Sequence, residues 1–507
     1  MSNANSMNVA ATTVTAALPD STSGAQFLGH PRGLATLFFT EMWERFTYYG
    51  MRALLVLFLV DQVGGFGMSD SSANAIYGLY TATAYLVCLP GGWIADRVIG
   101  AQRAVLLGGL MIVLGNAVMA FPTGHSGFYF GMIIVILGVG LLKPNISAIV
   151  AQLYPEGGAR RDSGFSLFYM GINLGALIGP LVTGFVGQQY GRRWGFAAAS
   201  VGMAFGVLQF WLTRRHLGSA GALTQQQIDT SAGPRKGLWI GIALLAVALT
   251  LTLGGIVNVD PQALRDKTTY LIMGMAIAYF TYLFAFAGLD LVERKRIVVI
   301  LVLFIACALF WSGFEQAGSS FNLFAERYTD RRILGFEIAS EYLQAVNPFF
   351  IIVFAPVFSW LWLALAKRNL ESGAPIKFAM GLITMALGFL VMVAAAKIVA
   401  AGGKALPYWL VLTYLLHTFG ELFLSPVGLS SVTKLAPQRF VGQMMGIWFL
   451  ATALGNLVAS IFAGGFDENN VAGYPDQYFR IFLFGVIPGV VLLLLAKPIQ
   501  KLAGGVK

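Results

Sequence analysis

Long apolar runs separated by short polar segments dominate the chain. Since about 20 apolar residues suffice to cross a bilayer as a helix, runs of about that length predict transmembrane helices. They fall at about 34–60, 75–95, 104–122, 128–152, 164–187, 194–213, 237–258, 269–291, 297–323, 343–366, 377–399, 407–433, 441–464 and 478–496. Apolar residues are continuous within each run and do not alternate with polar ones, which argues against a membrane β-barrel. The pattern predicts an all-α polytopic membrane protein with fourteen transmembrane helices.

Composition agrees with that pattern. Of the 507 residues 57% are hydrophobic and 11% are charged, and the mean hydropathy is +0.72, far from a soluble globular composition. The net charge of +10 could suggest a nucleic-acid partner, but Lys and Arg lie mainly in short loops, where membrane topology explains them better. Cys88 and Cys307 both lie inside apolar runs, so we predict neither a disulfide framework nor a zinc site. We expect no metal, no cofactor, no nucleic acid and no obligate protein partner.

Loop charges predict the orientation in the membrane. An even number of helices puts both termini on one side, and the termini with the loops on their side hold 20 Lys and Arg, against 10 in the opposite loops. This bias places both termini in the cytoplasm. Residues 1–28 contain no Lys or Arg and lack the apolar stretch of a cleavable signal peptide, so we interpret them as a disordered cytoplasmic tail.

The longest polar connection divides the chain into two halves. Six runs lie within residues 29–216, and a Ser-, Gly- and Gln-containing linker follows at 217–236. Two runs at 237–293 have no charge in their interiors, which suits a peripheral, lipid-facing insertion. Residues 294–507 then hold six further runs and a short cytoplasmic tail. The pattern therefore predicts two six-helix bundles with two extra helices between them.

The first run carries charges at membrane depth. At about 100° per residue, one stripe of this helix contains Glu41, Glu44, Arg45, Tyr48 and Arg52. A charge at the bilayer centre costs about 2.5–3.5 kcal/mol on insertion scales, so this stripe should line a hydrated cavity or meet partner charges. The alternative is a buried ion-pair network that only fixes helix packing.

Three further deep charges lie on other runs. They are Lys143, Glu315 and Glu421, which fall on helices four, seven and ten when the inserted pair is left out. Together with the charges of the first run, they make three cations and four carboxylates on only four of twelve helices. This concentration favours a central hydrated path. Tyr85, Asn173, Gln316, Asn347 and Trp448 could add hydrogen-bonding or aromatic walls, or make ordinary contacts between helices. His417 is interpreted as a packing residue.

One charged loop joins the second and third runs. Asp96, Arg97 and Arg103 could clamp helix ends across this short turn, a conformational role. No phosphate-binding loop, Ser-His-Asp order, HExxH or CxxC motif is present, so we predict neither an ATP site nor an enzyme.

Three segments resemble a known family. They are Glu41-x-x-Glu44-Arg45-Phe46-x-Tyr48-Tyr49-Gly50, Lys143-Pro144-Asn145, and the segment from Phe165 to Ala176. Together they resemble the proton-dependent oligopeptide transporters, the POT family of the major facilitator superfamily, from about Leu34 to Pro498. The resemblance implies the major facilitator fold with the two extra helices of bacterial members. It also implies a symporter of the bacterial plasma (inner) membrane that uses the proton gradient to import di- and tripeptides by alternating access.

The resemblance also implies roles for matching residues. The implied proton-coupling residues are Glu41, Glu44, Arg45, Lys143 and Glu315, and the implied gate pairs are Arg52 with Glu315 and Lys143 with Glu421. The peptide carboxylate would meet Arg52 and Lys143, and the ammonium group would meet Glu421, Asn173 and Asn347. Side-chain pockets would be shaped by Tyr48, Tyr49, Tyr85, Trp311 and Trp448. Animal relatives carry a histidine in the second helix where this chain has Gly78, so a mechanism through that histidine does not transfer.

Two other functions are compatible with parts of the pattern. A proton-coupled transporter of drugs or anions could use the same fold. An intramembrane enzyme could use Glu44 or Glu421 in acid-base catalysis, although no catalytic motif accompanies them.

Overall fold

The protein is almost entirely helical in a computed structural model. The structure describes residues 26–504 apart from 157, 224–226, 228–230, 334, 369–371 and 468. The predicted tail, residues 1–28, lies outside the described residues except for its last three. Of these, Gln26 and Phe27 form strand β1, which pairs with β2 (His30–Pro31). Residues 224–226 and 228–230 of the predicted linker also lie outside the described part.

The first half of the chain contains seven helices. They are α1 (Arg32–Val60), α2 (Asp70–Leu86), α3 (Cys88–Ile94), α4 (Ala101–Ala120), α5 (Gly124–Gln152), α6 (Gly158–Tyr190) and α7 (Arg192–Thr213). The predicted run 75–95 is divided between α2 and α3, and a π-helical turn, Ala95–Ile99, continues it. Pro144 lies inside α5, which runs through it without a break.

The inserted pair and the second half follow. The inserted helices are α8 (Ala232–Leu253) and α9 (Pro261–Phe286). The second half contains α10 (Leu291–Phe314), α11 (Ser320–Tyr328), α12 (Val346–Lys367), α13 (Ala374–Ala400), α14 (Tyr408–Leu435), α15 (Val441–Gly464), α16 (Tyr474–Leu494) and α17 (Ala496–Leu502). Strands β3 (Arg332–Ile333) and β4 (Phe336–Glu337) form a hairpin between α11 and α12.

The predicted run 297–323 is not one continuous helix. α10 ends at Phe314, a 3-10 turn covers Glu315–Gly318, and Ser319 has φ −125° and ψ −101°, outside helical values. Glu315, Ser319 and Asn322 therefore do not lie on the face of one regular helix. The break lies at a buried carboxylate. The turn directs Glu315 toward partners on other helices.

Twelve segments of the described structure are long and apolar enough to cross a membrane. Helix covers most of each of the fourteen predicted runs, as one main helix in twelve of them and as two in 75–95 and 297–323, but the first two runs do not meet this measure. α1 contains four ionisable residues in its interior, and α2 has 17 residues. The architecture is that of a polytopic helical membrane protein.

Glycines on α6 fix the orientation of α1. Gly171, Gly175 and Gly179 recur every four residues and face α1, so its backbone can approach closely. A Cβ at Gly175 would lie 2.1 Å from the Met42 carbonyl oxygen, closer than any real contact. On the same side, Phe46 packs on α7 at Gly202. The apolar side of α1 is thus buried against α6 and α7, which leaves its charged stripe facing the interior of the protein.

Contacts between loops distinguish two ends of the molecule. One end holds the first and the last described residues, and we call it the terminal end. There the Tyr154 hydroxyl lies 2.9 Å from His30 Nδ1, and Gly373 lies beside Gln500. At the opposite end, Arg327 forms an ion pair with Asp70 at 2.6 Å and so joins the second half to the first. Helix α2 also packs on α15 of the second half.

Gly78 allows α2 and α15 to meet. A Cβ added at this position would lie 2.3 Å from both Cβ and Oγ of Ser460, and 3.3 Å from the Asn456 carbonyl oxygen. The two halves therefore touch at a residue without a side chain.

The Gly78→Ala variant should open the opposite end, because overpacking of a close contact costs about 1–3 kcal/mol. The expected result is an increase in the distance between spin labels at Val63 and Phe336, both exposed at this end. Adding Ser460→Gly should restore the original distance, since it removes the two clashing atoms. Gly446→Ala is the matched control, because its Cβ would meet only Leu89 at 3.6 Å or more. An unchanged distance in Gly78→Ala would show that the contact does not hold this end closed.

Candidate functional site

Two carboxylates share one guanidinium on the charged stripe of α1. Arg45 Nε lies 3.0 Å from Glu41 Oε1 and 2.5 Å from Glu44 Oε2. The three side chains are at most 5% exposed, and that of Glu44 is fully buried. Within the described structure, neither oxygen of Glu44 has a hydrogen bond of good geometry. A buried group with two acids and one base carries a net negative charge, which favours either a second cation or a proton.

Lys143 supplies the second cation. It lies on α5, and it attracts Glu44 electrostatically. Its Nζ stands 3.9 Å from the centroid of the Tyr85 ring, a cation–π contact. The neighbouring Asn145 Nδ2 donates to the Gly91 carbonyl oxygen at 3.3 Å and ties α5 to α3. Among the described side chains Lys143 forms no ion pair, so its charge is held near the acidic cluster without being neutralised by direct contact.

Arg52 and Glu315 join the two halves. Arg52 Nη2 lies 3.0 Å from Glu315 Oε2, and each residue is 4% exposed. Tyr77 on α2 completes the group, because its hydroxyl accepts from Arg52 Nε at 2.7 Å and donates to Glu315 Oε2 at 3.3 Å. The pairing expected from the resemblance is present. Tyr77 was missed, since nothing in the sequence distinguishes it from the other tyrosines of its helix.

Glu421 is positioned by the second half alone. Asn347 Nδ2 donates to Glu421 Oε2 at 3.2 Å and to Thr418 Oγ1 at 2.9 Å, which links α12 to α14. Glu421 also interacts electrostatically with Arg52 and Glu315. Its contact with a residue of the described structure is thus the hydrogen bond from Asn347. His417, one turn earlier, is fully buried among Phe314, Phe321 and Phe389, in agreement with a packing role.

Some of the predicted aromatic and amide residues lie beside these charges, whereas others contact neighbours in their own half. The Tyr48 ring lies 5.4 Å from Arg45 Cζ, and the Tyr49 ring lies 5.6 Å from Arg52 Cζ. Trp311 packs between Phe310 and Phe314, and Trp448 packs 6.1 Å from Phe378. Asn173 is 5% exposed and donates to the Tyr169 carbonyl oxygen of its own helix at 2.9 Å. The tyrosines thus lie beside the cations, whereas the tryptophans and Asn173 are seen in contacts within their own half.

The structure does not bring together two other predicted groups. No ion pair between Lys143 and Glu421 exists among the described residues, because the halves meet at the opposite end and Lys143 contacts Tyr85 instead. Asp96, Arg97 and Arg103 are exposed, and none of them is in an ion pair of the described structure. Gln102 makes the tether in this region, since its Nε2 donates to the carbonyl oxygens of Gly218 and Ala220 at 3.0 and 2.6 Å.

The arrangement suits a ligand with two separated, opposite charges. Cations at Arg52 and Lys143 belong to the first half, whereas the carboxylates of Glu315 and Glu421 belong to the second. The Tyr49 ring beside Arg52 and the Tyr85 ring beside Lys143 can cover variable apolar groups. The described residues contain no group of three or more His, Cys, Asp or Glu side chains placed to hold a metal ion.

Comparisons with known proteins identify the family. A family model described as the POT family matches residues 102–481. The peptide transporter YePEPT of Yersinia enterocolitica is 42% identical over 492 residues, which cover 94% of this chain and 96% of that protein. A di-/tripeptide transporter of Lactococcus lactis is 36% identical and covers 95% of this chain and 98% of its own length.

Solved structures extend the likeness to the fold. The crystal structure of a mutant of peptide transporter POT in complex with alafosfalin superposes with a TM-score of 0.85 at 39% identity, covering 94% of this chain and 97% of that one. With a family match over most of its length and near-complete coverage by these relatives, the chain belongs to the POT family of peptide transporters.

Proposed function

We propose that the protein imports di- and tripeptides by alternating access, with the two peptide termini bound between the charged faces of the two halves. Membership of the POT family makes it a proton-coupled transporter of di- and tripeptides and not an enzyme. The observation that carries the binding proposal is the placement of Arg52 and Lys143 on one half and Glu421 on the other. A short peptide has a constant carboxylate and a constant ammonium group, so this site recognises what all peptides share.

Within this proposal the cations bind the peptide carboxylate, and Glu421 with Asn347 binds the ammonium group. The geometry supports this division, because Asn347 already holds the Glu421 carboxylate and the Lys143 ammonium group lies beside Tyr85 without an ion pair among the described residues. Tyr48, Tyr49, Tyr85, Trp311 and Trp448 would cover peptide side chains, and Asn173 would add a hydrogen bond. Broad acceptance of side chains follows, since hydrated pockets do not require complementary contacts.

Proton coupling follows from the balance of buried charges. Glu41, Glu44, Arg45 and Lys143 balance when all are ionised. A peptide carboxylate that engages Lys143 upsets this balance by one negative charge, and a proton on Glu44 restores it. Peptide binding and protonation are thus favourable together, which is the requirement for symport. Glu315 takes part at the other end of the stripe, because its protonation would release Arg52 and free the two halves.

We also propose the finer topology. The protein would have fourteen transmembrane helices: residues 29–216 and 294–507 would form the two six-helix bundles, and 237–293 the lipid-facing insertion. Both termini would lie in the cytoplasm of a bacterial cell, with the protein in the plasma (inner) membrane, because Lys and Arg are concentrated on the side of the termini. Lys143 with Glu421 would then form an inner gate in a state closed at the terminal end, and the loop of Asp96, Arg97 and Arg103 would act in that change.

Proteoliposomes loaded with this protein should accumulate a labelled dipeptide when an inward proton gradient is imposed. The label should be recovered as intact dipeptide, which excludes hydrolysis. A protonophore is the control, since it removes the gradient without altering the protein. The proposal would be contradicted by uptake that does not depend on the proton gradient. It would also be contradicted if nitrate or a sugar competed more strongly than unlabelled dipeptide.

A further inference from the structure

Arg192 is the centre of a second group of ion pairs at the opposite end. It is the first residue of α7, and its guanidinium contacts three carboxylates. Nη1 lies 3.3 Å from Asp61 Oδ2, Nη2 lies 2.7 Å from Glu326 Oε1, and Nε lies 3.4 Å from Glu341 Oε1. Asp61 follows α1 in the first half, whereas Glu326 and Glu341 belong to the second. One side chain therefore joins the two halves through two separate elements.

Further contacts strengthen this group, which we name the Arg192 cluster. Arg331 Nη2 lies 3.4 Å from Glu326 Oε2 and 3.2 Å from Glu337 Oε1, and Ser340 Oγ donates to Glu326 Oε2 at 2.7 Å. A cleft of about 270 Å³ is lined by the charged side chains Arg192, Glu326, Arg331, Glu337 and Glu341. The Arg192 side chain is 21% exposed and that of Glu341 only 4%, so the pair with Glu341 is well shielded from water.

A close contact indicates that the cluster requires closed halves. A Cβ at Gly184 of α6 would lie 2.8 Å from Glu341 Cβ, so the backbone of the first half packs directly on this residue. Asp61 is the partner within the first half: partial burial opposes its ionisation, but the N–H groups of Val63 and Gly64 and the Arg192 guanidinium lower its pKa below the usual value. If the second half moved away from α7, Arg192 would lose Glu326 and Glu341 and would keep Asp61.

We propose that Arg192 is a gate residue of the transport cycle, whose ion pairs to Glu326 and Glu341 hold the opposite end closed and must break before that end opens. This inference rests on the proposed alternating access. It concerns a contact separate from the pair of Arg52 and Glu315, because the Arg192 cluster is formed by the loop after α1, α7, α11 and the turn before α12. Opening would then require two sets of ion pairs to break, the buried pair of Arg52 with Glu315 and the Arg192 cluster.

The neighbouring Arg193 provides a matched control. Its Nη1 donates to the Phe121 carbonyl oxygen at 2.8 Å, and its Cζ lies 5.0 Å from the centroid of the Phe58 ring. Both partners belong to the first half. Substitution of Arg193 removes the same charge from the same helical turn without touching a contact between the halves.

The test measures the distance between spin labels at Val63 and Phe336 in the full chain. Labelling is selective, because Cys88 and Cys307 are buried. Arg192→Gln should increase the ratio of open to closed molecules about tenfold or more, since it removes the cation that pairs with the buried Glu341 carboxylate. Arg193→Gln should match the unsubstituted protein. Glu326→Gln should shift the ratio in the same direction by less, and it keeps the proposal testable if Arg192→Gln does not fold.

Identical distance distributions in Arg192→Gln, Arg193→Gln and the unsubstituted protein would overturn the proposal. The measurement needs neither peptide nor a proton gradient. A failure of peptide transport in proteoliposomes would therefore count against the proposed function alone, and an unchanged distance would count against the gate alone.

Discussion

The Glu44→Gln variant is expected to exchange labelled for unlabelled dipeptide across the membrane but not to accumulate it. Glutamine has the shape of a protonated glutamate and cannot release a proton, so the variant fixes the neutral state of this group. Peptide binding survives, because the cations that would bind the carboxylate are retained. Accumulation is lost, because no proton now moves with the peptide.

The expected loss is large. One proton contributes about 2.3 kcal/mol at a membrane potential of 100 mV, which corresponds to about fifty-fold accumulation. In Glu44→Gln this ratio should fall to about one, while counterflow stays within a few-fold of the unsubstituted rate. Both are measured in the same proteoliposomes with and without a gradient. Glu44 is the choice over Glu41 because its side chain has no exposure at all.

Glu156→Gln is the control for this experiment. Glu156 lies at the terminal end, its side chain is 44% exposed, and it reaches Arg160 only at 4.0 Å. The same chemical change there should alter neither exchange nor accumulation. If Glu44→Gln still concentrated peptide against its gradient, Glu44 would not belong to the coupling cluster.

The Lys143→Ala variant is expected to lose both exchange and driven uptake. A hydrogen bond to a charged group contributes about 1.5–3 kcal/mol, so loss of the cation should weaken binding of a dipeptide about 10-fold to 100-fold. The acidic cluster also loses the cation that attracts Glu44, and an uncompensated buried charge favours permanent protonation. Binding and coupling should therefore fail together.

A cycle of two proteins and two ligands isolates the carboxylate contact. A dipeptide and its C-terminal amide are bound to the unsubstituted protein and to Lys143→Ala. The amide should bind weakly to both, with little further loss in the variant, because it lacks the group that Lys143 would hold. Lys397→Ala removes an exposed lysine from the last turn of α13 and is the control. Equal losses for the dipeptide and the amide would place the carboxylate elsewhere.

Much of the site could be predicted from sequence because charges are rare in apolar helices. In a composition with 11% charged residues, a charge inside a spanning run stands out, and helical periodicity assigns it to one face. Arg52 and Glu315 were identified in this way, and Arg52 Nη2 lies 3.0 Å from Glu315 Oε2. Glu421 likewise lies within electrostatic reach of Arg52.

Other parts of the site gave no comparable signal. Tyr77 is one tyrosine among many, and a hydroxyl in a helix becomes notable only when its partners are known. Arg192 and Glu341 lie at helix ends, where charges are common, so their sequence context indicates ordinary loop residues. The expected clamp through Asp96 and Arg97 shows the converse, since a charged motif does not specify which side chains meet.

That the chain is a helical membrane protein, where its helices lie, and which few ionisable residues lie inside them could all be predicted before the fold was known. These features depend on local composition and periodicity, and the bilayer makes them decisive because it excludes unpaired polar groups. The fold was needed to show which ionisable residues pair, that the helix breaks at Glu315, and that Arg192 and Gly78 join the halves at one end. Those properties depend on the relative placement of residues far apart in the chain, and no local pattern encodes that placement.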